Sequence, residues 1–451
     1  MTQVAKAQTA NGLEPYLSAF EQFERSADRR TPAWLHPIRK AGIAHFSELG
    51  FPTTRDEEWR FTNVAPIQRL PFKPLVEPDG SQPSAEQIAK FAFPGLKCSR
   101  LVYIDGCYSE QLSELDPRLE EAHAGSLAQA MSADADLLER HLARYARCDA
   151  SAFTALNTAF FVDGGFVRIP RGVILEEPIH LLFLRTTGDA GATAHPRNLI
   201  VAEENSQATV IEHYVSLAEG AYFTNAVTEI VLGENAVLEH CKIQTESEEA
   251  FHVATVQARQ DRSSNLRTHS ISTGARLARN DIHTVLNAEG AQCLMNGLYI
   301  VHGAQLVDHH TVIDHAKPHC ETHEFYNGVL DGRSHGVFNG KIFVRPDAQK
   351  TDAKQTSRAL LLSEDATINS KPQLEIFADD VKCTHGSTVG QLNEEAVFYM
   401  RSRGIGLEQA RRMLIAAFAG EIIDRIKIPA VRSQLERHLV GQLTRRNVSN
   451  G

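Results

Sequence analysis

The sequence predicts a mainly β protein, a β-solenoid core flanked by α-helical units at both ends. Three observations carry this. From Phe161 to Leu392 the chain is a series of short β-rich runs with little proline inside them. Polar turn centres fall near Ser206, Asn235, Ser263, Gly290 and Pro318, a spacing of about 27 to 29 residues that suits a solenoid whose coils bury their strands on one another. Outside that window apolar residues recur at helical spacing. The expected units are 1–160, helical or mixed, 161–392, the β core, and 393–451, helical.

In the first unit, Leu17, Phe20 and Phe23, then Leu35, Ile38, Ile43 and Phe46, mark two amphipathic helices between Gly12 and Leu49. The acidic-aromatic segment Asp56-Glu-Glu-Trp59-Arg-Phe61-Thr-Asn63 follows, on its own a helix start or a turn packing one tryptophan. Pro71 to Pro83 is rich in Pro, Gly and Ser and is expected to be irregular. A short strand at Leu101 to Ile104 and a helix from about Leu127 to Ala146 complete the unit.

In the core, Phe166–Ile169, Ile179–Leu184, Ala208–Ile211, Glu229–Leu232 and Val237–His240 are expected strands. A β-sandwich competes with the solenoid, because Asn296-Gly, Asn327-Gly, Asp331-Gly and Asn339-Gly are hairpin-type dipeptides. They cluster in one region, whereas a sandwich needs them throughout. In the third unit Asn393 caps a helix whose first turn carries Glu394 and Glu395, and Gly404 ends it in a left-handed turn. A second helix runs from about Leu407 to Ile426, Pro429 breaks it, and a third spans Val431 to Leu443. This unit is either a docking element or an end cap.

Two stretches carry chemistry. In Val381-Lys-Cys383-Thr-His385-Gly386 the strand alternation turns Cys383 and His385 to one face. A soft thiolate beside an imidazole suits iron or zinc, but two ligands do not complete a cluster, so the remainder must come from a partner chain. Seven of the 20 histidines lie from His302 to His335. Cys320 and His323 have zinc-like spacing without a second pair. His309, His315, His323 and His335 either approach one another on stacked coils or act as ordinary buried polar residues.

The net charge of −10, with no long Lys/Arg cluster, argues against nucleic-acid binding. No stretch reaches the roughly 18 to 20 apolar residues of a membrane span, and Met1 to Leu13 lacks the apolar core of a secretion signal, so a cytoplasmic location is expected. Seven cysteines without a CxxC pair fit reduced thiols. No phosphate-binding loop is present, since Gly340-Lys341 lacks both the leading glycine and the hydroxyl residue. Any ATP hydrolysis must belong to a partner. β-Solenoids also act on polysaccharides with paired carboxylates, for which Asp308 with Asp314 or Glu321 with Glu324 are the candidates. A purely structural scaffold without metal ligands is the third alternative.

Taken together, the segment Asp56–Asn63, the histidine-rich block from Val307 to Gly328 and the two segments Val381–Leu392 and Asn393–Ile405 resemble the SufB/SufD family, scaffold subunits of the Suf iron-sulfur cluster assembly machinery, in its SufD branch. The likeness spans nearly the whole chain, strongest from Val307 to Gly404 and weakest from Gln68 to Ala150. The SufB branch carries an extra reactive cysteine before the motif and an acidic-histidine-acidic sequence where Cys383-Thr-His385 stands here. Leu360 to Phe377 contains no cysteine. The resemblance implies a right-handed parallel β-helix and a non-enzymatic subunit that pairs with a SufB-like chain. It implies docking of a SufC-like ABC-type ATPase on the C-terminal unit, with Phe398, Arg401, Arg403 and Gly404 in the docking motif. His385, and after it Cys383, would hold iron or a nascent cluster as cargo at the shared interface, with little metal in the isolated chain. Self-association of the chain alone is a further expectation.

Overall fold

The computed structural model describes residues 2–27, 32–77, 82–116, 119 and 122–449. Each stretch of roughly thirty residues in the core lays one strand on each of two sheets. Phe223, Phe251, Leu277, Leu306, His335 and Thr367 stack in parallel register in one sheet. Gln207, Val237, Asn265, Gln292, Glu321, Asp352 and Lys382 stack in the other. This is the β-solenoid, and its period is that of the polar turns. The turn residues Asn205, Asn235, Ser263, Gly290, His319 and Lys350 all have φ between 52° and 73°. This left-handed conformation favours Asn and Gly, yet the stacked turns also hold Ser263, His319 and Lys350 in it. Most of these amides donate to the next coil's turn carbonyl, as Asn205 does to Glu234 at 2.8 Å and His319 to Gln349 at 2.9 Å. The first and fifth centres are therefore Asn205 and His319, one residue before Ser206 and one past Pro318.

The Asn-Gly dipeptides are not hairpins. Gly297, Gly328 and Gly340 lie inside the strands Gln292–Val301, Glu321–Leu330 and His335–Val344. A Cβ on Gly297 would sit 2.0 Å from the Tyr326 ring, and one on Gly328 2.1 Å from the Tyr299 ring. Tyr and Gly oppose each other in the register, so the glycines make room for rings inside the solenoid. Of the four dipeptides only Asp331-Gly332 is a turn, with Gly332 at φ 66°. The interior is also partly polar: Lys242, fully buried and pushed down to about 8 by burial, donates to Asn280 at 2.8 Å.

The helical units cover the outer faces of the two sheets. The helices Thr2–Ala27, Leu35–Leu49 and Ala152–Phe160 bring Tyr16, Phe20, Phe46 and Phe160 into one cluster with Phe223, Phe251, Val253 and Leu277 of the first sheet. Leu407–Ile423 and Pro429–Ser449 set Ile415, Ile422, Ile426 and Leu435 on Ile243, Ile271, Leu298 and Val329 of the second. Each such aliphatic side chain stabilises the packing by about 1.5–3 kcal/mol when fully buried. Pro429 thus opens the last helix two residues before the expected start, a position where its missing N–H costs nothing.

The helix expected from Leu127 to Ala146 is two, Leu127–Ala133 and Ala135–His141, broken at Asp134. Beyond them Ala143 takes φ 59°. The amides of Ala143, Tyr145 and Ala146 then donate to the Glu229 carboxylate at 2.7–2.9 Å, which also pairs with buried Arg197 at 2.7 Å. A buried carboxylate takes the backbone donors that a continued helix would have used.

The two ends of the solenoid differ. At the first, antiparallel strands close both sheets, Cys107–Glu114 on Ser99–Ile104 and His123–Ser126 on Gly165–Ile169. At the other, Thr367–Ile376 and Lys382–Gly390 are the last strands, each paired on one side only among the described residues. The C-terminal helices pack along the flank, and apart from half-buried Cys383 the residues of Lys382–Gly390 are exposed at that end.

Candidate functional site

The open end is where the sequence motif falls. Cys383, His385 and Ser387 stack on Ala353, Gln355 and Ser357, all buried and facing the solenoid interior. Register therefore turns Cys383 and His385 inward, yet no coil follows, so His385 is exposed and Cys383 half-buried. Ser387 bonds Ser370 of the other terminal strand at 2.9 Å across the mouth. Under His385 lies Gln355, whose amide nitrogen donates to Glu324 at 2.7 Å. Burial pushes the Glu324 carboxyl up to about 7.

Burial also raises the Cys383 thiol, and Asp352 adds to the rise. The backbone at Ala353 offsets part of that rise, and the net shift leaves the thiol less readily ionised than a free cysteine. Among the described residues no three His, Cys, Asp or Glu side chains converge to hold a metal.

The histidine-rich block does not converge. His309 points inward between the Tyr299 and Tyr326 rings, at 5.4 and 5.3 Å, and burial lowers it to about 3. His315 bonds Thr322 at 2.9 Å inside the solenoid, His323 bonds Glu321 at 2.9 Å outside it, and His335 bonds Asn369 at 2.6 Å. Strand alternation puts Cys320 in the interior cluster and His323 on the outer face, so their zinc-like spacing has no meaning here. The carboxylate pairs fail likewise. Asp308 and Asp314 are about 20 Å apart along one strand, each bound to its own arginine, Arg279 and Arg345. Glu324 faces inward and Glu321 outward.

A second cluster escapes sequence reading. The short helix Glu57–Trp59 sits on the outer face of the first sheet. The Arg279 guanidinium lies 3.6 Å from the Trp59 ring centroid and pairs with Asp308 and Asp281, each at 2.7 Å. His310 contacts Asp308 at 3.1 Å and Glu58 at 3.3 Å, and Thr62 donates to Asp308. This network latches Asp56–Asn63 to coils some 220 to 310 residues away in sequence. The sequence offered Asp308 only as a carboxylate to set against Asp314; its partners here were not visible.

Beyond the motif, the helix Glu394–Ser402 buries only Val397. Asn393 caps it, accepting from the Ala396 amide at 3.0 Å, and Gly404 takes φ 86°. Phe398 and Tyr399 are 72% and 60% exposed. Arg401, Arg403 and Gly404 are exposed beside them, and Arg403 bonds the Tyr399 hydroxyl at 3.1 Å.

A solenoid open at one end among the described residues, with a Cys-His pair turned inward at the opening and an exposed apolar-basic helix after it, has the form of an assembly scaffold. The chain belongs to the SufB/SufD family. Residues 184–418 match the SUF system FeS cluster assembly SufBD core domain, and residues 10–181 the SufBD protein N-terminal region. It is similar to an iron-sulfur cluster assembly SufBD family protein of Synechocystis, 35% identical over 88% of this chain and 89% of the relative. It is also similar to the iron-sulfur cluster assembly protein SufD of Escherichia coli, 31% identical over 94% and 96%. SufD of Bacillus subtilis is 26% identical over the same shares. The protein is thus an iron-sulfur cluster assembly protein of the Suf system.

Proposed function

We propose that the chain is a non-catalytic, cytoplasmic scaffold subunit that pairs with a SufB-like chain through its open end and binds a SufC-like ATPase through the helix Glu394–Ser402. At the shared interface His385, with Cys383 as the weaker partner, holds iron or a nascent cluster as cargo, and chain and partner together supply the ligands. The carrying observation is that Cys383 and His385 face inward at the one solenoid end left open among the described residues. A site completed in trans is what two inward-facing ligands on an unpaired terminal coil suit.

The test is anaerobic co-expression with SufB-like and SufC-like partners, followed by sizing and by iron and sulfide analysis. His385→Ala is expected to leave the complex intact and lower its iron several-fold, with Cys383→Ala lowering it less. Unchanged iron in an intact His385→Ala complex would favour a structural scaffold without metal ligands. Failure of the wild-type chains to assemble would overturn the proposal.

A further inference from the structure

We propose that Gln355 is a positioning residue for His385: its side-chain oxygen accepts from one imidazole nitrogen, leaving the other free to face the open end, and Glu324 fixes the amide from below. The inference deepens the reading of His385 as a cargo ligand and rests on it for its purpose.

Glu324, Gln355 and His385 are consecutive rungs of one interior ladder. Gln355 is buried and its nitrogen donates to Glu324. That nitrogen also fills the hollow at Gly340, where a Cβ would lie 2.1 Å from it. The opposite amide orientation would press a carbonyl oxygen against the carboxylate, so the Gln355 oxygen is held away from Glu324. That oxygen is buried without a hydrogen-bond partner, a condition proteins rarely leave standing. The next rung is His385, one strand spacing of about 4.8 Å away. Its ring makes no hydrogen bond among the described residues, and turned toward its neighbour on the ladder it would place an N–H on the waiting acceptor. Ligating histidines commonly donate their second N–H to such an acceptor, which fixes the tautomer and makes the free nitrogen more basic.

The experiment is a long-range ¹H–¹⁵N correlation on the purified full-length chain labelled at histidine, at mildly alkaline pH, with the His385 signals identified by their loss in His385→Asn. The wild type is expected to show one dominant neutral tautomer at His385. Gln355→Leu should return it to the mixture of a freely solvated imidazole. Glu324→Gln, isosteric and chosen because it disturbs packing least, should shift it the same way by freeing the amide to turn. Circular dichroism checks that each variant is folded. A wild-type ring already in the solvated mixture, or a ring unmoved by Gln355→Leu, overturns the proposal; a ring moved by Gln355→Leu alone overturns the part given to Glu324. The His385→Ala iron assay decides separately whether the ring is a ligand at all, so a fixed tautomer with unchanged iron would retire that reading and keep the hydrogen bond.

Discussion

His310 shows how a single side chain ties distant parts of the chain together. Burial alone would lower its pKa, but Asp308 and Glu58 outweigh burial and raise it from 6.5 to about 9, so it is cationic at neutral pH. A histidine raised on folding adds stability that is complete below about pH 6.5 and is lost as pH climbs through about 9. Asp308 is held well below the usual carboxylate range by His310 and Arg279 in spite of its burial. Its contribution is lost only in acid. The latch on Asp56–Asn63 should therefore loosen on the alkaline side of neutrality. In a Trp34→Phe background, Trp59 emission is expected to shift to the red between pH 7 and 10, and cleavage near Arg60 to speed up. Asp308→Asn should bring that release to lower pH and cost on the order of 3 kcal/mol, because Arg279 and His310 lose a buried partner. Emission that stays flat across this range would show that His310 does not hold the segment. Of the latch, only a helix start or turn packing one tryptophan and the carboxylate of Asp308, set against Asp314, were legible in the sequence, since the pairing spans most of the chain.

Among the elements, the C-terminal helices divide the work. Leu407–Ile423 and Pro429–Ser449 are held by the second sheet, whereas Glu394–Ser402 leaves an aromatic pair and two arginines in solvent. Deleting everything after Leu392 would expose Ile243, Ile271, Leu298 and Val329 along the flank, so such a truncation is expected to aggregate and says nothing clean about docking. Phe398→Ala and Arg403→Glu are the sharper test. Each is expected to weaken ATPase binding at least tenfold, as an exposed aromatic or arginine anchor does, with an unchanged melting temperature because neither side chain is buried. Binding measured at wild-type strength in both variants would remove this helix from the docking surface. Here sequence reading went far, because Asn393, the two glutamates and Gly404 act on their own neighbours. The Leu127–Ala146 region was misread, because Glu229 captures its amides from a strand more than eighty residues further on.

For the molecule as a whole the asymmetry of the ends is decisive. One end is closed by antiparallel strands; the other offers unpaired backbone on Lys382–Gly390 together with Val389, Ile376 and Phe377, exposed at 49%, 38% and 58%. An open apolar edge is a template for another strand. The isolated chain is expected to self-associate through it as concentration rises, and Val389→Lys to keep it monomeric in sedimentation velocity while leaving the fold intact. Association of the variant equal to that of the wild type would place the contact elsewhere. The sequence by itself determined the coil period, the approximate turn positions, the helical flanks and the common face of Cys383 and His385. All of these follow from local backbone preference and from a repeat that stacks each residue on its counterpart one coil on. Only the tertiary structure decided that the helices cover the sides and leave one end open, and that Asn-Gly pairs serve interior rings. It alone set Glu324 and Gln355 under His385 and bound residues 56–63 to Arg279, Asp308 and His310. Each of those depends on which surfaces meet across long separations, and no local preference or spacing encodes that meeting.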